Sequence, residues 1–394
     1  MIGIGSMKKF SLFLVAIVWV LAVYAAEPRV VVGAERTDLY YLALEGQRVA
    51  VFSNHTGRVG DRHLVDMLVD DGVNVVTIFS PEHGFRGDAD AGEHVSGSVD
   101  ARTGIRIRSL YDGRSGRPSD EAMRTFDVLL VDIQDVGLRY YTYYISMVKL
   151  MDACAEFGRR VIVLDRPNPN GHYVDGPILD MKYKSGVGWL PIPVVHGLTL
   201  GELARMVNGE HWLTAGRECD LTVVPCLHYT HQTHYVLPVA PSPNLPNMQA
   251  VYLYPSLCYF EATPVSLGRG TDWPFQVYGH PDMKGCDFSF TPRSVKGAKN
   301  PPLRDRLCYG RDLRGLTPEA IGSRGIDLEY LIDAYRNLDM GDRFFTSFFE
   351  KLIGVDYVRP MIESGKSADE IKAMWRDDVV RFKEQRRPYL LYEE

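Results

Sequence analysis

Glu82 and His83 stand in the turn Ser80-Pro81-Glu82-His83-Gly84-Phe85-Arg86, directly after the apolar run 73–79. A carboxyl group beside an imidazole at the end of a buried strand can move a proton. Glu82 is the candidate acid and His83 the group that tunes it. Similar polar clusters follow other apolar runs. Asn54 and His55 follow 49–53; Asp132, Gln134, Asp135, Arg139, Tyr140, Tyr141 and Tyr144 follow 128–131; Asp165, Arg166 and Asn168 follow 161–164; and His196 precedes a further helical stretch. Five clusters converging on one edge of a sheet are a more specific signal than any one of them.

A second concentration lies at 254–275, where Glu261 follows an aromatic run and Arg269 sits between Gly268 and Gly270, ahead of Asp272, Trp273 and Phe275. Carboxylate, guanidinium and indole together suit a sugar that bears an acid: the ring stacks on an aromatic face and the acid meets a bidentate Arg. Two carboxylates facing one cleft are the equipment of glycoside hydrolysis, one donating a proton and the other acting as nucleophile, base or electrostatic stabiliser. With Glu82 as donor, Glu261, Asp132 and Asp135 compete for the second role.

Cofactor chemistry finds little support. The nucleotide motifs G-x-G-x-x-G and G-x-x-x-x-G-K-[ST] are absent, as are H-E-x-x-H and G-x-S-x-G. Glu82, His83, Asp88, Asp90 and His94 cluster closely but match no metal-ligand spacing, and His228, His231 and His234 recur every third residue in a strand-like region. The reading therefore carries no metal and no cofactor.

The elements that must position these groups alternate. The segment 46–57 reads as turn, short buried strand and polar loop. The segment 61–71 has helical spacing with Leu64, Met67 and Leu68 on one face, and a strand follows at 73–79. Extended stretches at 105–110, 128–131, 161–164 and 221–224 are separated by helices at 118–124 and 142–157, the latter stopped by Gly158. Thr199 and Glu202 form a capping box for a helix ending near Gly209. This alternation predicts an α/β fold with a Rossmann-like, doubly wound, mostly parallel sheet. Prolines at 238, 241, 243 and 246 mark the preferred boundary. They divide a catalytic domain at 27–237 from a smaller α+β domain at 238–394. The second domain is expected to hold a strand at 288–290, helices at 327–338 and 368–386, and an edge strand at 389–392.

At the amino terminus, Lys8 and Lys9 precede an uncharged run at 10–26 that ends in Ala25-Ala26. This is the pattern of a secretory signal peptide, with Met7 as an alternative start and an uncleaved anchor as the competing reading. It predicts a secreted or periplasmic protein. Without Lys8 and Lys9, 42 basic and 50 acidic residues leave a net charge of −8, which argues against a nucleic-acid partner. No later segment is long and apolar enough to span a bilayer. The six cysteines show no C-x-x-C spacing. Export permits pairing of Cys219 with Cys226 or Cys286 with Cys308, but a core this large favours buried free thiols.

The stretches Ser80-Pro81-Glu82-His83-Gly84, 132–143, Leu164-Asp165-Arg166-Pro167-Asn168-Pro169, His196-Gly197-Leu198-Thr199 and Gly268-Arg269-Gly270-Thr271-Asp272 resemble, in order, those of the exo-β-N-acetylmuramidases, the NamZ-like glycoside hydrolases. The resemblance runs from about 46 to 392. It implies a Rossmann-like first domain, a smaller second domain and a cleft between them. It also implies release of terminal β-N-acetylmuramic acid from the non-reducing end of peptidoglycan fragments, with Glu82 as the acid. On this reading His83 and Arg139 orient, and Glu261 or Asp132 stabilises the oxocarbenium-like centre. Arg269 takes the lactyl carboxylate, and Asn54, Arg86, Gln134, Asp135, Tyr140, Arg166, Asn168, His196 and Asp272 complete the sugar site. The competing readings are a metal-dependent wall amide or acetyl hydrolase built on 82–94, and a non-catalytic wall-glycan binding protein.

Overall fold

The computed structural model describes residues 28–81, 84–86, 98–110 and 116–394. The expected signal at 1–26 lies outside the described residues, as do Glu82, His83, Asp88, Asp90 and His94.

The first half contains β1 (Val49–Ser53), the hairpin β2 (Arg58–Val59) and β3 (Arg62–His63), α1 (Leu64–Asp70), β4 (Val75–Ser80), β5 (Ser98–Val99) and β6 (Arg106–Ser109). It continues with α2 (Asp120–Met123), β7 (Val128–Asp132), α3 (Tyr143–Phe157), β8 (Arg160–Leu164), α4 (Leu200–Gly209) and β9 (Leu221–Val224). The sheet runs β5-β6-β4-β1-β7-β8-β9, and only the edge strand β5 is antiparallel. Every residue of β1 and β7 is buried, so these strands read as continuous apolar runs without alternation.

The six parallel strands follow the doubly wound order 3-2-1-4-5-6, with the winding reversing between β1 and β7. Ligand crevices of such sheets open at the carboxyl ends of the strands beside that reversal. Here Ser53 at the end of β1 is in register with Asp132 at the end of β7.

Local signals held where they were strongest. Thr142 is the N-cap of α3, and Gly158 ends it in the left-handed conformation at φ +61°. The capping box of α4 is formed: the Glu202 N–H donates to Thr199 Oγ1 at 3.2 Å and the Thr199 N–H to Glu202 Oε2 at 2.9 Å.

The second half contains α5 (Met248–Leu257), the antiparallel strands β10 (Val277–His280), β11 (Phe288–Phe290) and β12 (Cys308–Asp312) in the order β10-β12-β11, then α6 (Pro318–Gly322), α7 (Glu329–Leu338), α8 (Phe349–Ile353), α9 (Val358–Glu363), α10 (Ala368–Ala373) and α11 (Arg376–Arg386). Two expectations need correction. The helix expected over 368–386 is two helices, broken at Met374 and Trp375, where the buried Trp375 donates its indole N–H to Asp175 Oδ1 at 2.8 Å. The segment 389–392 is not a strand, because its backbone groups are used by side chains: Arg205 donates to the carbonyls of Tyr389 and Leu390, and Glu202 Oε1 accepts the Leu391 N–H.

The two halves share a core in which Tyr143 and Met147 of α3 belong with Phe349, Ile371 and Trp375. The proline-rich segment is packed down on the first half, since the hydroxyls of Tyr141 and Tyr143 both donate to the Pro241 carbonyl. All six cysteines are free thiols, five of them buried. Among the described residues no helix is long and apolar enough to cross a membrane.

Candidate active site

The loops after β1 and β7 are stitched together by short polar contacts. Asn54 folds back on itself, its Oδ1 accepting from the Thr56 N–H at 3.0 Å and from Thr56 Oγ1 at 2.6 Å. Thr56 Oγ1 in turn accepts the Gln134 N–H at 3.0 Å. The Gln134 side chain donates to the carbonyls of Asp135 and Pro167, which fixes the β8 loop against the β7 loop. His55 Nε2 lies 2.9 Å from the Ala240 carbonyl and holds the proline-rich segment beside the crevice.

Three buried polar atoms here have no hydrogen-bond partner among the described residues: Asn54 Nδ2, Ser80 Oγ and Asp135 Oδ2. They belong to the ends of β1, β4 and β7, which are neighbours in the sheet. Each such orphan costs about 1–3 kcal/mol, and a fold tolerates that expense mainly where a ligand or a reaction uses it. Ser80 was not singled out from the sequence, although a lone hydroxyl closing an apolar strand before a proline was there to be read.

Asp135 is the most perturbed carboxyl group of the crevice. Burial pushes it up to about 7, against the opposing pull of the Gly137, Val136 and Tyr144 N–H groups. The Gly137 N–H meets Oδ1 at 2.7 Å. Gly137 adopts φ +75°, and a Cβ there would lie 2.2 Å from the Asn168 amide.

Several other candidates are taken up by structural partners. Asp132, fully buried, is held bidentately by Arg166, with Nε to Oδ1 at 2.6 Å and Nη2 to Oδ2 at 3.0 Å. Arg166 also donates to the Arg58 carbonyl. Arg86, expected at the sugar, grips Asp100 and Asp66 instead. Asn168 spends its amide on the Leu198 carbonyl and the Asn170 N–H. Tyr140 donates to the carbonyls of Tyr254 and Pro255, tying α5 to the β7 loop. His196 accepts the Leu198 N–H on Nδ1, and burial, reinforced by Arg386 and Arg139, drives its ring down to about 3. It is neutral at physiological pH.

Arg139 needs the largest correction. The expected orienting residue is a buried clamp whose Nη1 donates to the carbonyls of Pro177 and Ile192 and whose Nη2 donates to those of Leu352 and Ile353. The last two carbonyls lie at the C-terminal end of α8, where the helix dipole favours a cation.

Glu261 and Arg269 find each other, with Nη2 to Oε1 at 2.6 Å and side chains 28% and 21% exposed. Asp272 is exposed and is not the partner of Arg269. The Arg269 guanidinium lies 5.1 Å from the Phe275 ring, Phe275 packs on Tyr254, and Tyr254 packs on Tyr140 and Tyr141. This ladder of rings joins the ion pair to the β7 loop. Among the described residues no three His, Cys, Asp or Glu side chains gather as a metal site. His231 is buried against Glu202 Oε1 at 3.0 Å, while His228 and His234 face solvent.

A doubly wound sheet with carboxyl and amide groups sealed at its switch point, joined through a shared core to a second α/β layer, defines a two-domain α/β enzyme fold. Two family descriptions match in tandem: Exo-beta-N-acetylmuramidase NamZ, N-terminal, over residues 49–249, and the corresponding C-terminal description over 252–392. The chain belongs to this family of glycoside hydrolases. It is 35% identical over 389 residues to the peptidoglycan beta-N-acetylmuramidase NamZ of Bacillus subtilis (strain 168), covering 93% of this chain and 92% of that one. Two crystal structures of DUF1343 family proteins from Bacteroides fragilis NCTC 9343 superpose over 93% of this chain and all of theirs. One has a TM-score of 0.88 at 64% identity, the other 0.79 at 27%.

Proposed function

We propose that this exo-β-N-acetylmuramidase cleaves terminal β-N-acetylmuramic acid from the non-reducing end of peptidoglycan fragments at the carboxyl ends of β4, β1 and β7. The observation that supports this placement is the trio of sealed polar atoms on Asn54, Ser80 and Asp135 that have no partner among the described residues. Glu82, two residues beyond β4, donates a proton to the leaving oxygen as the C1–O bond breaks; water takes that oxygen's place at C1, and the proton it gives up returns a carboxylate to its acid form. Asp135 is the second carboxyl group. Asp132 has both oxygens committed to Arg166, and Glu261 is paired with Arg269, so neither is as available. Arg269, partly open to solvent, takes the lactyl carboxylate, and Glu261 sets the guanidinium's orientation. The chain works outside the cytoplasm, in the periplasm or beyond, on the strength of the signal-like pattern at 1–26.

The test is release of p-nitrophenol from p-nitrophenyl β-N-acetylmuramide, run beside the β-N-acetylglucosaminide and with EDTA. Muramide-selective turnover that EDTA leaves intact, and that Glu82→Gln lowers by about 10²–10⁴-fold, is the expected result. Turnover abolished by chelation would favour the metal-dependent amide or acetyl hydrolase instead.

A further inference from the structure

A cavity of about 230 Å³ lies between the β8 loop and the α5 and α6 elements of the second half. Its lining includes Asn170, His172, Tyr173, His234, Tyr252 and Glu319. Asn170 forms part of this lining. Its Nδ2 is anchored to the Val136 carbonyl and its N–H to Asn168 Oδ1, yet its Oδ1 is buried with no partner among the described residues. An acceptor sealed in this way calls for a donor from a ligand. Around it stand flat rings: His172 and His234 have centroids 5.6 Å apart, and Tyr173 packs on His172 at 4.8 Å. Burial, and then His234, hold His172 below its usual range, so its ring offers a neutral acceptor at physiological pH. Glu319 is exposed at the rim.

We propose that this cavity is an accessory subsite for one neutral pyranose of the glycan, an N-acetylhexosamine without a lactyl acid. The aromatic walls match the apolar face of a sugar ring. The orphan Asn170 Oδ1 accepts a hydroxyl or amide proton, and the rim carboxylate of Glu319 disfavours an acidic sugar. The anchor of Asn170 on Val136, the neighbour of Asp135, ties this cavity to the loop of the catalytic crevice, so the sugar beyond the cleaved bond is its natural occupant. That last step rests on the muramidase reading.

The test uses Ser323→Trp at the exposed rim and Tyr252→Ala in the wall, neither of them in the catalytic crevice. With p-nitrophenyl β-N-acetylmuramide, whose leaving group is a flat phenol with no sugar hydroxyls and no acetamido group, both variants should keep kcat/KM within about twofold. With N-acetylmuramyl-β-1,4-N-acetylglucosamine, KM should rise about tenfold, equivalent to about 1.4 kcal/mol. Equal KM values for wild type and Ser323→Trp on the disaccharide would overturn the subsite. Saturation-transfer NMR with N,N′-diacetylchitobiose tests the cavity even if wild type cleaves neither substrate, the result that would sink the muramidase reading alone. Transfer seen in wild type and lost in Ser323→Trp supports the subsite, and transfer absent from wild type or retained in Ser323→Trp refutes it.

Discussion

Replacing Asp135 by Asn separates what this carboxyl group does for the reaction from what it costs the fold. Burial pushes the group from its ordinary 3.8 to about 7. The folded state therefore binds this proton more tightly than the unfolded chain does. The associated stability is complete below about pH 4, falls as pH rises from 4 to 7, and is gone above 7. Three pK units correspond to roughly 4 kcal/mol. Asn cannot ionise, yet its Oδ1 still accepts the Gly137 N–H that Asp135 Oδ1 accepts at 2.7 Å. Urea unfolding near pH 4 should find wild type and Asp135→Asn alike. Near pH 8 the variant should be the more stable by several kcal/mol, while its kcat/KM falls at least about 100-fold. Such a trade of stability for activity is the mark of a group kept for chemistry. Parallel stability–pH curves for the two proteins, or near-native turnover by the variant, would refute the reasoning.

Arg139→Met should unfold far more readily than wild type in urea. It leaves the Pro177, Ile192, Leu352 and Ile353 carbonyls without their donor, at about 1–3 kcal/mol for each buried orphan. Gly354→Ala should strike the same clamp, since its Cβ would lie 2.5 Å from Arg139 Nη2 at a residue held at φ +88°. Tyr392→Phe removes the hydroxyl that donates to Asp165 Oδ2 at 2.6 Å and accepts the Cys226 N–H at 2.9 Å. It should cost about 1–3 kcal/mol in denaturant titration and leave kcat unchanged. Arg269→Ala should lose the preference for β-N-acetylmuramide over β-N-acetylglucosaminide; an unchanged ratio of kcat/KM values would remove Arg269 from acid recognition.

The sheet was legible because its cause is local. Runs such as 49–53 and 128–131 carry no polar alternation, and only a strand covered on both faces tolerates that. The caps at Thr199 and Gly158 are local too. What the sequence could not supply was the choice of ionic partner. Arg269 had Asp272 three residues away and took Glu261, and Arg86 reached back to Asp66 and forward to Asp100. Such pairings depend on which loops the fold brings together, so residue types marked the crevice while roles within it stayed open. Arg139 looked like an orienting group at the sugar for the same reason: a buried guanidinium that donates to carbonyls and one that binds a ligand are written with the same letter.

The carboxyl-terminal tail carries a consequence for the order in which the chain is made. Asp165 and Glu202 are buried in the first half, but the Tyr392 hydroxyl that serves Asp165 arrives 227 residues later and the Leu391 N–H that serves Glu202 arrives 189 residues later. Arg386, also 189 residues downstream, closes on the Gly197 carbonyl. During synthesis Asp165 thus has Thr199 and Gly201 as donors, and Glu202 has Thr199 and the His231 ring beside it, but each is one donor short until the final helix and its tail have emerged. The first half therefore gains its last polar contacts only when the tail docks, unlike a domain that completes its own contacts as it leaves the ribosome. A chain paused short of residue 392 lacks these contacts, and residues 27–237 expressed alone should be less stable than the same residues in the full chain.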